Sequence, residues 1–300
     1  MISKVAAIVV TFNRKTDLLR NIEALKNQVF DNLDILVIDN ASTDGTADAL
    51  KDYIEQDEIK YYNTGSNLGG AGGFNYGMRI AAELGYEFLW IMDDDCLPDP
   101  LALDYLIGAD EALGGNYGFL SSVAYWKDGS ICNMNIQKTS LRHKICDYES
   151  DLMPVIMATF VSAFFPLASV KEFGLPIKEF FIWSDDLEYT RRISRKKPCY
   201  AVTKSRVLHD MKSNDKVNIA TDSPERLSRY AYLYRNEVYL YRREGIKGIL
   251  YLCTRVAFHI LKAFRAKDNK LGRVKVILKS FFKGWKFKPE IEYINAEGSK

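Results

Sequence analysis

Phe88-Leu89-Trp90-Ile91-Met92-Asp93-Asp94-Asp95 decides how this chain is read: five apolar residues run directly into three carboxylates. A run so short and so uniformly apolar reads as a strand covered on both faces, as strands of parallel sheets are. The acids behind it repel one another beside apolar neighbours, so they need a compensating group or open solvent. Two arrangements answer that need: a divalent cation with phosphate oxygens, or a solvated acidic turn before the helix that follows Pro98.

Working upstream, the same kind of strand recurs at Val5 to Phe12, Asp34 to Asp39 and Ile59 to Asn63. Between them, Thr16 to Val29, Asp44 to Gln56 and Gly73 to Leu84 carry helical periodicity. Strands alternating with helices predict a mostly parallel α/β sheet flanked by helices, in which ligands bind beyond the carboxyl ends of the strands. Those ends are polar throughout: Thr11, Asn13 and Arg14 after the first strand, Asp39 to Gly45 after the second, and five glycines in Gly65 to Gly73 after the third.

Downstream the rhythm loosens. A helix is expected over Pro100 to Leu113, strands near Phe119 to Trp126, Val155 to Phe165 and Tyr200 to His209, and a helix starting in Trp183 to Glu188. From Pro224 the chain reads as helical and aromatic. The expected division is an α/β domain over residues 1–222, in halves of about 1–98 and 99–222, followed by a helical basic region over 223–300.

Composition excludes several classes. With 300 residues and 47% hydrophobic content the chain can bury a large core, and global disorder is excluded. Five cysteines form no CxxC pair and fit a reducing compartment, so the cytoplasm is expected. The N-terminal apolar run reads as a core strand, not a signal peptide, and no stretch is long and uncharged enough to predict a membrane span. The formal charge of +2 conceals about −11 in residues 1–150 and +13 in residues 151–300.

Each candidate has a plain structural alternative. Ser42 to Gly45 suit a turn and helix cap, while Asp39 sits where it can accept hydrogen bonds from a base or ribose. Glycines at 69, 70, 72 and 73 let backbone approach a ligand at a helix N-terminus, or form an unliganded loop. The acids Asp185, Asp186 and Glu188 suit the helix dipole ahead of Arg191 and Arg192, or place a general base in a cleft. His209, closing an apolar strand, is a structural histidine or a neutral imidazole ligand.

Six stretches in order, VVTFNR (9–14), DNASTDGT (39–46), NLGGAGGFNYGM (67–78), WIMDDD (90–95), WSDDLEYTRR (183–192) and LHDMKS (208–213), resemble the inverting family 2 glycosyltransferases of GT-A fold. Bacterial galactofuranosyltransferases are the most similar members, with rhamnosyltransferase-like members next. The resemblance implies a donor site at Thr11, Asn13, Arg14, Asp39, Gly69, Gly70, Gly72, Gly73, Asp93 and Asp94. It implies Mn²⁺ or Mg²⁺ held by Asp93, Asp95 and His209. Asp186 would be the catalytic base, with Asp185 as the alternative, and Trp183, Asp185 and Glu188 would meet the acceptor. Ser184 departs from the pattern, in which tryptophan often directly precedes the paired acids. The implied reaction is transfer from UDP-galactofuranose to a lipid-linked glycan of a bacterial surface polysaccharide such as an O-antigen or capsule. Transfer from dTDP-rhamnose is the same-fold alternative, and a non-catalytic nucleotide-sugar-binding scaffold the alternative of another class.

Residues 242–288 hold 14 Lys/Arg against two acids, interleaved with Leu, Ile, Phe and Trp285. A solvated helical face explains this, as does a basic amphipathic surface beside anionic lipid of the inner leaflet. Nucleic acid is not expected, because the front half is acidic and no recognition module is present.

Overall fold

A computed structural model describes residues 4–215 and 217–294. Residues 1–3, 216 and 295–300 of the two expected regions lie outside the described residues. Among the described residues nine strands form one sheet: β1 (Val5–Thr11), β2 (Leu33–Asp39), β3 (Lys60–Asn63), β4 (Phe88–Asp93), β5 (Cys96–Pro98), β6 (Leu120–Tyr125), β7 (Leu152–Pro154), β8 (Ala163–Pro166) and β9 (Tyr200–His209). Their spatial order is β3-β2-β1-β4-β8-β6-β9-β5, with β7 paired to β9. The β3-β2-β1-β4 half is wholly parallel, as the alternating pattern predicts. Beyond it β8 runs antiparallel to both β4 and β6, and the parallel pairing returns between β6 and β9.

The helices are α1 (Lys15–Lys26), α2 (Thr46–Ala49), α3 (Lys51–Glu55), α4 (Gly69–Leu84), α5 (Ala102–Leu113), α6 (Leu167–Phe173), α7 (Asp185–Ser194), α8 (Leu227–Arg242), α9 (Gly245–Phe264) and α10 (Lys270–Lys286). Because side chains alternate along a strand, β1 sends Val5, Ala7 and Val9 to one core with Leu18, Ile22 and Leu106, from α1 and α5. Ala6, Ile8 and Val10 go to the other core, with Phe74, Met78 and Ala81 of α4. All of these are buried, and each large one contributes about 1.5–3 kcal/mol. A third core joins α8, α9 and α10 to Trp183 and Leu187, so the C-terminal helices pack directly on the segment carrying the second acidic group.

Three expectations are corrected. The helix read over Asp44 to Gln56 is two short helices broken at Leu50, whose buried side chain anchors the turn to the core. The strand read over Val155 to Phe165 survives only as β8. Ser162 takes a left-handed φ of 61° there, and its hydroxyl receives the Trp90 indole N–H at 2.8 Å, which ends the extended run. Of the glycine segment, Gly69 to Gly73 are not a loop but the first turns of α4, and Gly65 stays in the bend before it.

Packing explains why such a poor helix former starts a helix. A Cβ on Gly73 would lie 2.5 Å from Val10 Cγ1, and one on Gly77 2.6 Å from Ile8 Cγ2, so the pair forms a flat strip that lets α4 lie close to β1 and β2. Around Gly70 a Cβ would meet nothing within 4 Å. Gly73→Ala is therefore expected to destabilise by about 1–3 kcal/mol through overpacking. Gly70→Ala should be neutral or stabilising by up to about 1 kcal/mol. Thermal melts of the two variants check the contrast, and equal effects would refute it.

Candidate active site

Strand register brings the polar ends together: Val10 pairs with Asp93, Thr11 with Asp39, and Cys96 with His209. Thr11 Oγ1 donates to Asp94 Oδ2 at 2.7 Å. Arg14 reaches back across the strand ends, with Nη1 3.1 Å from Asp94 Oδ1 and Nη2 2.9 Å from Asp95 Oδ2. The first loop is zipped to the second: Thr43 N–H donates to Asn13 Oδ1 at 2.7 Å, and Asn13 N–H to Ser42 Oγ at 2.8 Å. Asn13 takes a φ of 53° to allow this.

Asp39 is buried, and both carboxylate oxygens are engaged, Oδ1 by Ser42 N–H at 2.8 Å and Oδ2 by the Tyr61 hydroxyl at 2.6 Å. The glycines divide by role. Gly73 packs on the sheet, Gly72 against Leu68, and Gly69, at φ 71°, against Phe181, whose carbonyl a Cβ would meet at 2.2 Å. Gly70 alone of the four has open space beside it.

Burial drives the charges of the triplet apart. Asp93 is pushed up to about 8 by burial and by Asp95, against the pull of His209. Asp94 rises to about 7 through burial, opposed by Arg14 and Thr11. Asp95 is buried too, yet the hydrogen bond and charge of His209, with Arg14, hold it at about 2. Asp185 belongs to the same electrostatic group, since its charge is among those raising Asp93.

The His209 ring explains what this corner can hold. Asn135 Nδ2 donates to Thr159 Oγ1 at 3.0 Å, so its Oδ1 accepts from His209 Nδ1 at 2.9 Å. Nε2 then faces Asp95 Oδ1 at 3.2 Å, a buried oxygen with no other hydrogen-bond donor: with a proton on Nε2 the ring supplies the bond and charge that lower Asp95, and without one it leaves a lone pair there. Two acceptors face to face require a proton or a cation between them. Cys96 completes a cluster whose ligand atoms lie within 4.8 Å of one another, but burial raises its thiol well above its ordinary value, and a neutral thiol is a poor partner for a hard cation. Asp95 and His209 thus fit Mn²⁺ or Mg²⁺ through oxygen and imidazole; Asp93, the third expected ligand, feels the charges of both but is not among the clustered ligand atoms.

The second acidic group approaches on a strained segment. Phe181, Trp183 and Ser184 all have φ between 63° and 67°, a conformation non-glycine residues adopt at a cost of about 1–3 kcal/mol each. Buried Asn236 on α8 holds the segment, its side-chain amide directed at the carbonyls of Phe180, Ile182 and Trp183 at 3.0, 3.2 and 2.8 Å. Trp183 rests edge-on against Tyr230, ring centres 5.2 Å apart. The Phe181 carbonyl also accepts from Ala71 N–H at 3.2 Å, which ties α4 to the approach to α7.

At the start of α7, burial and Asp186 push Asp185 up to about 8. Burial also lifts Asp186 to about 6, while the Leu187 N–H at 2.7 Å and the Lys138 charge pull it down. Lys138 is itself lowered by burial and by Arg255. The charge of Glu188 also raises Asp185, but its own carboxylate is turned away to Arg192: it is 2% exposed, and Arg192 holds it at 2.8 Å while also donating to the carbonyls of Phe173 and Leu175.

Sequence reasoning missed Asn135, Lys138 and Asn236. All three act across long sequence separations, and Asn135 and Lys138 lie in a stretch without periodicity. Buried amides aimed at backbone carbonyls leave no local pattern, although Asn236 in the middle of an aromatic helix was a visible oddity.

Comparison with known proteins agrees with this geometry. Residues 6–143 match the glycosyl transferase family 2 model. A galactofuranosyltransferase, GlfT1 of Mycolicibacterium smegmatis, is 26% identical over 269 residues, covering 82% of this chain and 85% of that protein. Among solved structures, S. aureus TarS 1-349 in complex with UDP is 15% identical with a TM-score of 0.54, over 95% of this chain and 72% of that one. The mannosyltransferase PcManGT from Pyrobaculum calidifontis, in complex with GDP-Man and Mn²⁺, is also 15% identical with a TM-score of 0.54, over 95% and 74%. At such identities the solved structures speak for the fold alone. The parallel half-sheet, the acids at its carboxyl edge and the matched residues lead to one assignment: residues 6–143 carry a glycosyl transferase family 2 domain, in a chain of GT-A fold.

Proposed function

We propose that this family 2 glycosyltransferase transfers galactofuranose from UDP-galactofuranose, with inversion, to a hydroxyl of a lipid-linked glycan in surface polysaccharide synthesis. The observation that carries the reading is the meeting of three elements at one sheet edge: the triplet after β4, His209 at the end of β9, and the acids opening α7, with Asp185 in the field of Asp93. The donor assignment is supported by the galactofuranosyltransferase that the chain follows over 82% of its length. A nucleotide-sugar donor is a cytoplasmic metabolite, so the lipid-linked acceptor is met at the inner face of the plasma membrane.

Asp95 and His209, with Asp93, would hold the cation. Mn²⁺ or Mg²⁺ bound there neutralises charge developing on the departing diphosphate. Arg14, already opposite Asp94 and Asp95, lies where it can turn its guanidinium to a phosphate oxygen. Gly70 leaves room for the donor to approach the backbone of α4. Asp186 takes the proton of the acceptor hydroxyl as its oxygen attacks the anomeric carbon. The bond from that carbon to the phosphate oxygen breaks on the opposite side, and the nucleoside diphosphate leaves with the electron pair. No enzyme nucleophile is needed, and one displacement gives inversion. Trp183 and Asp185 border the acceptor side.

The test is a donor panel of UDP-galactofuranose, dTDP-rhamnose and UDP-glucose with Mn²⁺ or Mg²⁺, read as nucleoside diphosphate released with and without a synthetic lipid-linked acceptor. UDP release from UDP-galactofuranose, accelerated by acceptor, is the expected result. Turnover of dTDP-rhamnose alone would overturn the donor assignment, and release from none of the three would overturn the reading as a whole.

A further inference from the structure

The exposed sides of α9 and α10 carry a feature that catalysis does not use. On α9, Ile246, Leu250, Cys253, Ala257, Leu261 and Phe264 follow one another at helical spacing and are all exposed, Ile246 at 78%. At 1.5 Å per residue they form an uncharged apolar stripe of about 27 Å along the outer face. The opposite face, Gly248, Leu252, Val256 and Ala263, is buried in the helical core. The same division recurs on α10: Leu271, Leu278, Phe282 and Trp285 face out, with Leu271 78% exposed, while Arg273, Ile277, Ser280 and Gly284 face in.

The charges beside these stripes are of one sign. Lys275, Lys279, Lys283 and Lys286 stand on the outer side of α10 and pair with no acid among the described residues. The two acids of residues 242–288 are already engaged, Glu244 by Arg191 and Arg195 and Asp268 by Arg273. Apolar side chains alone would fit many partners, but apolar side chains among unpaired lysines fit a surface that is apolar inside and negative at its boundary. A second copy of this chain would set lysine against lysine. No helix of the described residues is long and apolar enough to cross a membrane.

We infer that the outer face of α9 and α10 docks in the plane of an anionic lipid bilayer, with Leu261, Phe264 and Phe282 among the side chains entering the boundary of the acyl region and the α10 lysines meeting lipid phosphates. This surface is independent of which sugar the enzyme transfers. It keeps the protein where a lipid-linked acceptor is found.

Co-sedimentation of the full chain with vesicles tests it. The protein is expected to pellet with phosphatidylglycerol–phosphatidylcholine vesicles, to be released by high salt, and to remain in solution with phosphatidylcholine alone. Leu261→Glu with Phe264→Glu, and separately Lys275→Glu with Lys279→Glu and Lys283→Glu, should each weaken partitioning by about tenfold or more. Both variants should keep wild-type melting temperature and wild-type nucleoside diphosphate release in the absence of lipid, since every substituted residue is on the surface. Wild-type protein that stays in solution with anionic vesicles at low salt would overturn the proposal, as would variants that bind like wild type. A dimer in sedimentation velocity that the glutamate substitutions dissociate, without vesicle binding, would assign the face to a second copy.

Discussion

Asp186→Asn is expected to lower turnover by about 10²- to 10⁴-fold, the usual contribution of a positioned general base, while leaving nucleotide and metal affinity near wild type. Calorimetric titration with UDP and Mn²⁺, beside steady-state kinetics, separates the two effects. Near-normal turnover would remove Asp186 from the reaction, and a comparable loss confined to Asp185→Asn would move the role one residue back. The pH profile adds a second readout. Asp186 must be ionised to accept a proton, and burial places its pKa at about 6, so activity should be present above that pH and lost below it. Lys138 favours the ionised form, so Lys138→Met should shift the acidic limb to higher pH. A limb that does not move would show that Lys138 serves packing only.

Asp95→Asn is expected to abolish metal-dependent nucleoside diphosphate release, and His209→Ala to weaken Mn²⁺ binding by at least about 10- to 100-fold. Unchanged Mn²⁺ affinity in His209→Ala would refute its place in the site. The neighbouring acids give a stability counterpart. Asp93 and Asp94 are raised by burial to about 8 and about 7, so the folded chain holds protons that the unfolded chain releases near pH 4. Stability without metal should therefore fall as pH rises from about 4 to about 8. A divalent cation relieves the repulsion between ionised acids, and added Mn²⁺ should raise the melting temperature more at pH 8 than at pH 6. An equal rise at both values would mean that the cation binds elsewhere.

What could be read in the sequence follows from what is local. Strands β1, β2 and β4 are almost continuously apolar up to a polar end residue, β9 is apolar on either side of Thr203 to Arg206, and both their extents and the shared edge were legible. Gly69 to Gly73 were legible as a cluster but not as a helix, because glycine propensity argues against one. The close approach of Gly73 to Val10 and of Gly69 to Phe181, which overrides propensity, exists only in the fold. The acids of α7 were visible, but not that Arg192 already claims Glu188 or that Trp183 and Ser184 are left-handed. Non-glycine residues in that conformation announce nothing in advance. Their stabilising partner, Asn236, lies 53 residues beyond Trp183.

That last contact bears on how such an enzyme can be inherited. A basic helical tail that gripped only lipid could be lost, lengthened or exchanged between relatives as freely as a label. This tail cannot be: from α8, Asn236 grips the carbonyls that fix the bend ahead of Asp185 and Asp186, and Glu244, just past the end of that helix, is clasped by Arg191 and Arg195 of the α7 region. A chain ending near residue 222 would keep the acids of β4 and α7 and lose the grip that aims two of them. The part of the molecule that faces the lipid and the part that sets the acids are one continuous stretch of protein, so drift in the first is disciplined by the second.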